Sequence, residues 1–148
     1  MIGMEELYAE LLLWLHGFTD GEAYNKLLDE KFLAEDSADI LLDLETCSSD
    51  RLAALHLFNA YWLKQPFDVD LFERMLLAAL RRVYRGKQTL DMTELSRRCY
   101  RLWNELPQIC AQKEPLFTFC YIDDVLDERE QRVLLEKVLA FYENDDGA

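Results

Sequence analysis

Apolar residues recur along this chain at the three- and four-residue spacing of amphipathic helices, and start and stop signals bracket seven such stretches. The first runs from about Met4 to His16, with Glu5 and Glu6 at its positive N-terminal end and Gly17 as a stop. Thr19-Asp20-Gly21-Glu22 has capping-box spacing, so a second helix should continue to about Leu33. Asp36 or Ser37 can cap a third through Leu44, and Ser49 or Asp50 a fourth that Pro66 ends by Lys64. A fifth opens at Asp68 or Asp70 and stops at Gly86. A sixth starts at Asp91, with Glu94 at the third position, and ends before Pro107. The last extends from Asp124 or Asp127 to Tyr142, leaving 144–148 as a frayed tail.

Residues 116–122 break this rhythm. They follow Pro115, are rich in β-formers and read as one short extended segment with no partner strand in sight. The predicted fold is therefore all-α: an irregular bundle of about seven helices in one domain spanning 1–148. Helical pairs begin near Met4, Asp36 and Asp68, which leaves a short α-solenoid-like stack as the alternative.

The fourth helix is apolar on almost every side between 52 and 63, with only His56 and Asn59 strongly polar. Such a helix is either enclosed by neighbours or partly reserved for a partner, and with Leu77 it offers a homodimer contact. His56 and Asn59 lie three apart and share a face, which makes them a candidate polar pocket; the plainer expectation is a pair satisfied at the helix edge.

A chain of 148 residues, 51% hydrophobic and 12% aromatic, can build a core without metal or disulfide staples. Its net charge of −13 argues against nucleic-acid binding by the whole surface. The first residues lack the basic n-region of a secretory signal, and no apolar run reaches membrane-spanning length. Cys47, Cys99, Cys110 and Cys120 show no metal-ligand or redox spacing, so reduced thiols in a cytoplasmic protein are expected.

Charge is segregated, and this is the sharpest signal. Residues 1–73 carry four basic and 16 acidic side chains, residues 74–101 carry eight and two, and residues 102–148 carry four and 11. On the fifth helix, Phe72, Leu76, Ala79 and Val83 form the apolar face, which places Arg74, Arg81 and Arg85 together opposite it and Arg82 on the flank. Arg97, Arg98 and Arg101 extend the positive patch, partly neutralised by Glu94 and Glu105. Asp36, Asp39 and Asp43 make an acidic stripe on the third helix, with Glu35 and Glu45 nearby. These stripes either pair within the molecule or face a partner of opposite charge.

Catalytic signatures are absent: there is no G-x-G-x-x-G, P-loop, G-x-S-x-G or H-E-x-x-H. With only His16 and His56, a histidine-rich metal centre is excluded, and no cofactor is expected. Asp123, Asp124, Asp127 and Glu128 cluster without EF-hand spacing and read as the cap of the last helix. The functional expectation is a small acidic protein that binds a basic protein partner through Glu35, Asp36, Asp39 and Asp43, in the manner of an immunity protein or antitoxin-like inhibitor. Its rivals are a nucleic-acid mimic or binder using the Arg74–Arg101 patch, and a small-molecule site or enzyme near His56 and Asn59.

Overall fold

Helix starts need oxygen acceptors for the N–H groups of the first turn, and aspartates supply them at several helices of this chain. In the computed structural model, which describes residues 3–34, 39–86 and 91–143, Asp50 accepts from Ala53 N at 3.1 Å and Asp68 from Leu71 N at 3.1 Å. Asp91 accepts from the amides of Thr93 and Glu94, and Asp127 from that of Arg129. The result is all-α. Among the described residues the elements are α1 Glu5–Leu15, α2 Glu22–Ala34, α3 Asp39–Thr46, α4 Arg51–Lys64, α5 Val69–Gly86, α6 Met92–Glu105, α7 Gln108–Ala111 and α8 Glu128–Ala140, with two 3-10 helices, Leu116–Cys120 and Ile122–Asp124. The start expected at Asp36 or Ser37 and the tail at 144–148 lie outside the described residues. α7, a single turn after Pro107, carries too little periodicity to be seen in sequence.

Residues 116–122 are not extended. With no strand among the described residues to pair with, their backbone groups are satisfied locally: Tyr121 N donates to Thr118 O at 3.2 Å, while Glu114 accepts from both the amide and the hydroxyl of Thr118.

The contacts group the chain into two compact units, Met1–Phe72 and Glu73–Ala148. In the first, α1 packs on α2 and α4, while α3 packs on α2 and α4, so the four helices close into a ring rather than a solenoid stack. Tyr8, 2% exposed, lies at the centre of an aromatic cluster with Phe58, Trp62, Phe67 and Phe72 at ring separations of 5.2 to 6.1 Å. α1 ends in a Schellman turn: Phe18 N donates to Leu13 O, Gly17 N to Trp14 O, and Gly17 takes φ 81°. Arg51 on α4 adds a donor to the same Trp14 carbonyl at 2.9 Å. Gly21 (φ +87°) passes so close to Trp14 that an added Cβ would lie 2.4 Å from the indole ring.

In the second unit α6 packs against both 3-10 helices and α8. Arg81 of α5, expected on an outward face, is buried. Its Nη1 donates to Leu139 O at 2.8 Å and to Phe141 O at 3.2 Å, so a guanidinium meets the carbonyls that α8 leaves unpaired at its negative end. Leu77, expected on an exposed flank as a dimer contact, is 0% exposed. Glu73 is buried beside them, accepting from the Tyr142 hydroxyl at 3.0 Å, with Lys113 Nζ 3.8 Å away. Tyr142 follows the end of α8 with a left-handed φ of 68°, costly for a bulky residue; its ring lies under Arg74, whose guanidinium carbon is 4.5 Å from the ring centroid.

Two substitutions test these contacts. Arg81→Met removes the donor to a buried carbonyl, Leu139 O, and to the part-buried Phe141 O and should cost about 2–4 kcal/mol in urea unfolding, whereas Arg97→Ala at an exposed position of α6 should change stability by less than about 0.5 kcal/mol. Gly21→Ala combines a left-handed φ with a clash against Trp14 and should lower stability by about 2 kcal/mol or more, read from the thermal midpoint.

Candidate functional site

Of the predicted acidic edge, Glu35 and Asp36 lie outside the described residues, Asp39 begins α3, and Asp43 is exposed one turn later. Against Glu45 of α3 the structure sets Asp29 of α2, a carboxylate that periodicity along one helix could not have joined to this edge. A hydrogen bond shared with Asp29 pushes the Glu45 pKa up, reinforced by desolvation and by the Asp29 charge. The same negative field reaches Cys47, whose thiol is raised by desolvation and then by Asp50 and Asp43. Apolar side chains stand open on this helix pair: Leu33 is 82% exposed and Leu42 58%, with Phe32 at the margin of exposure.

The predicted arginine stripe on α5 exists as a stripe, but it faces the C-terminal end of α8. Arg81 caps that helix, Arg74 lies on Tyr142, and Arg85 pairs with Glu143, whose carboxyl is held below its usual range by the Arg85 hydrogen bond. Arg82 is exposed. Arg74, Arg81 and Arg85 are thus engaged within the molecule, with α8 and its following residues as the counterpart. On α6, Arg98 pairs with Glu94 at 3.3 Å, while Arg97 and Arg101 stand exposed beside Tyr100, itself 41% exposed.

His56 and Asn59 do share a face of α4, and it is an exposed one rather than a pocket. Leu52 and Leu63 lie on the same side of the helix, 59% and 87% exposed, so α4 buries only a narrow face through Ala54, Leu55 and Phe58. The cysteines are free, and burial pushes the thiols of Cys99 and Cys110 up to about 12, leaving them protonated and poorly nucleophilic at neutral pH. Asp127 caps α8, as read from the Asp123–Glu128 cluster. Among the described residues no group of three or more His, Cys, Asp and Glu is placed to hold a metal ion, and no helix is long and apolar enough to cross a membrane.

One cavity was not foreseen. It is a half-open groove of about 600 Å³ in the first unit, where the start of α1, the end of α4 and the start of α5 converge. Its lining includes Glu5, Tyr61, Trp62, Gln65, Phe67 and Asp68. Pro66 ends α4 and Asp68 opens α5, so the 65–68 turn carries its side chains back towards α1. Glu5 is 6% exposed, and its Oε2 accepts from the Asp68 amide at 2.8 Å, tying the first turn of α1 to the start of α5. Trp62 stands 4.9 Å from Tyr61 and 4.6 Å from Phe67 between ring centroids, turned by 75° and 63°. The Tyr61 phenol is pushed up by desolvation and then by the Glu5 charge. Among the described residues, the charged side chains of the lining are acidic.

Glu45 provides a pH test of the acidic pair. Because its folded pKa lies above the ordinary 4.5, the folded state holds the extra proton, and stability falls as pH rises through the window above 4.5. Glu45→Gln removes that slope. At this half-buried surface site it should raise stability at pH 7 by about 0.2–0.5 kcal/mol over the native chain and leave no difference near pH 3, measured by parallel denaturant titrations.

No family model matches the chain, and neither a curated protein nor a solved structure matches it.

Proposed function

We propose that this chain is a cytoplasmic protein-binding module whose acidic helix pair α2–α3 docks a basic protein. The observation that carries the reading is the Asp29–Glu45 pair, two carboxylates held close enough that one is driven towards its protonated form. A lysine or arginine entering this site gains attraction to both groups and removes their mutual repulsion, so the pair favours a cationic partner over water. Asp43 extends the charge, and the open side chains Phe32, Leu33 and Leu42 supply the apolar centre that a polar rim needs. At longer range, Met1–Phe72 carries four Lys and Arg against 15 Asp and Glu, a net of −11, which steers positive proteins towards it.

An immunity- or antitoxin-like inhibitor of a cationic nuclease is the concrete form of this reading, since an enzyme that holds phosphates offers the basic surface such a face would cover. The four free cysteines support a reducing compartment. Exposed Leu52 and Leu63 on α4 support self-association as an additional contact. A second reading, nucleic-acid binding, draws on the exposed Arg97, Tyr100 and Arg101 of α6 rather than on α5, whose arginines are largely engaged.

Affinity capture from native lysate at low salt, followed by mass spectrometry, tests the main reading. A stoichiometric basic protein should be retained by the native chain, lost at high salt, and lost by the triple variant Asp29→Asn, Asp43→Asn, Glu45→Gln. Equal retention by the variant, or no stoichiometric protein at all, overturns it. An oligonucleotide titration at two ionic strengths separates the second reading, which needs affinity that falls steeply with salt.

A further inference from the structure

The groove at Glu5 has a chemistry distinct from the α2–α3 edge, and we infer that it is a binding site for an alkylammonium group. Three features converge on that class of ligand. First, the site holds a carboxylate, Glu5, that is 6% exposed and whose Oε2 accepts from the Asp68 amide at 2.8 Å. A buried negative charge gains strongly from a cation that reaches it, because little water remains to screen the attraction. Second, Trp62 meets Tyr61 and Phe67 edge to face, at 75° and 63°, which makes the corner of a box rather than a stack. Aromatic faces attract cations through the ring quadrupole, and boxes of this kind suit ammonium groups whose methyl or methylene shell is poorly hydrated. Third, among the described residues the lining carries two carboxylates, Glu5 and Asp68, and no Lys or Arg to compete with an incoming cation. The volume of about 600 Å³ lies in the range of small-ligand sites.

The Tyr61 phenol reports the same geometry from the side of the protein. Its proton is retained more firmly because burial and the Glu5 charge both oppose a second anion there. A cation is the species this arrangement accepts; an anionic ligand would face two carboxylates, and a neutral apolar one would leave Glu5 uncompensated. The site does not depend on the protein-docking reading, since its residues lie on α1, α4 and α5 rather than on Asp29, Asp43 or Glu45.

The test uses the full chain and four probes followed by NMR: choline, its neutral isostere 3,3-dimethyl-1-butanol, N-acetyl-lysine methylamide and acetate. Choline or the blocked lysine should shift the Trp62 indole and the Gly3 and Asp68 amides saturably, and the neutral isostere should bind at least about tenfold more weakly. Tighter binding of choline identifies a free quaternary ammonium compound as the source, and tighter binding of the blocked lysine identifies a protein side chain; either supports the site. Glu5→Gln keeps an acceptor for the Asp68 amide and should weaken cation binding by about tenfold or more. If that variant fails to fold, Tyr61→Leu, at a half-buried position, should weaken cation binding while leaving the isostere unaffected. Equal affinity for choline and its isostere, tighter binding of acetate, undiminished binding by Glu5→Gln, or no shift with either cation at low salt overturns the inference.

Discussion

Charged side chains that answer the unpaired ends of distant helices hold this fold together. An α-helix leaves N–H groups bare at its positive end and carbonyls bare at its negative end, and inside a protein neither can be abandoned. Here Glu5 of α1 accepts from the backbone at the start of α5, Arg51 of α4 donates to the end of α1, and Arg81 of α5 donates to the end of α8. The sign is right in each case: an acid at a start, a base at an end. Glu5 and Arg81 are nearly fully buried, so their charges act where screening is weak and geometry is demanding.

That constraint redistributes the charge available for function. The fifth helix has the strongest run of arginines in the chain, yet three of its four line up with the last turn of α8 and the residues after it. What a sequence stripe displays as a docking surface is largely consumed in closing a helix. The acids of the first unit divide differently: Asp50 and Asp68 cap helix starts. Asp29 and Glu45 are pressed together on the surface, and Glu5 serves a helix start with one oxygen while standing in an aromatic groove. Both features favour positively charged ligands, through different residues and on different scales: a broad face for a protein, a cleft for a single cationic group.

Much of the helical framework was legible because it is local. Caps such as Asp50, Asp91 and Asp127 act within three residues, and stops such as Gly17 and Pro66 act on their own turn, so the start and end of a helix are written beside it. Residues 116–122 misled because β-propensity expresses how a side chain fits a pleated surface, and without a neighbouring strand the backbone turned to 3-10 bonding and to Glu114. The face shared by His56 and Asn59 was also legible, whereas its exposure was not, because burial of a helix face depends on which neighbours arrive.

The sequence by itself determined the all-α class, the positions of the main helices and the alignment of Arg74, Arg81 and Arg85 on one stripe, since each follows from spacing of 3.6 residues per turn and from side chains within a turn of each other. Only the tertiary structure decided that this stripe meets the end of α8, that Asp29 meets Glu45 across two helices, and that Glu5 shares a groove with Tyr61, Trp62 and Phe67. These partners are separated along the chain by tens of residues in the first and last cases, and no local pattern encodes such a meeting. It arises when amphipathic faces pack and the polar groups caught between them find whichever charge lies within hydrogen-bonding reach.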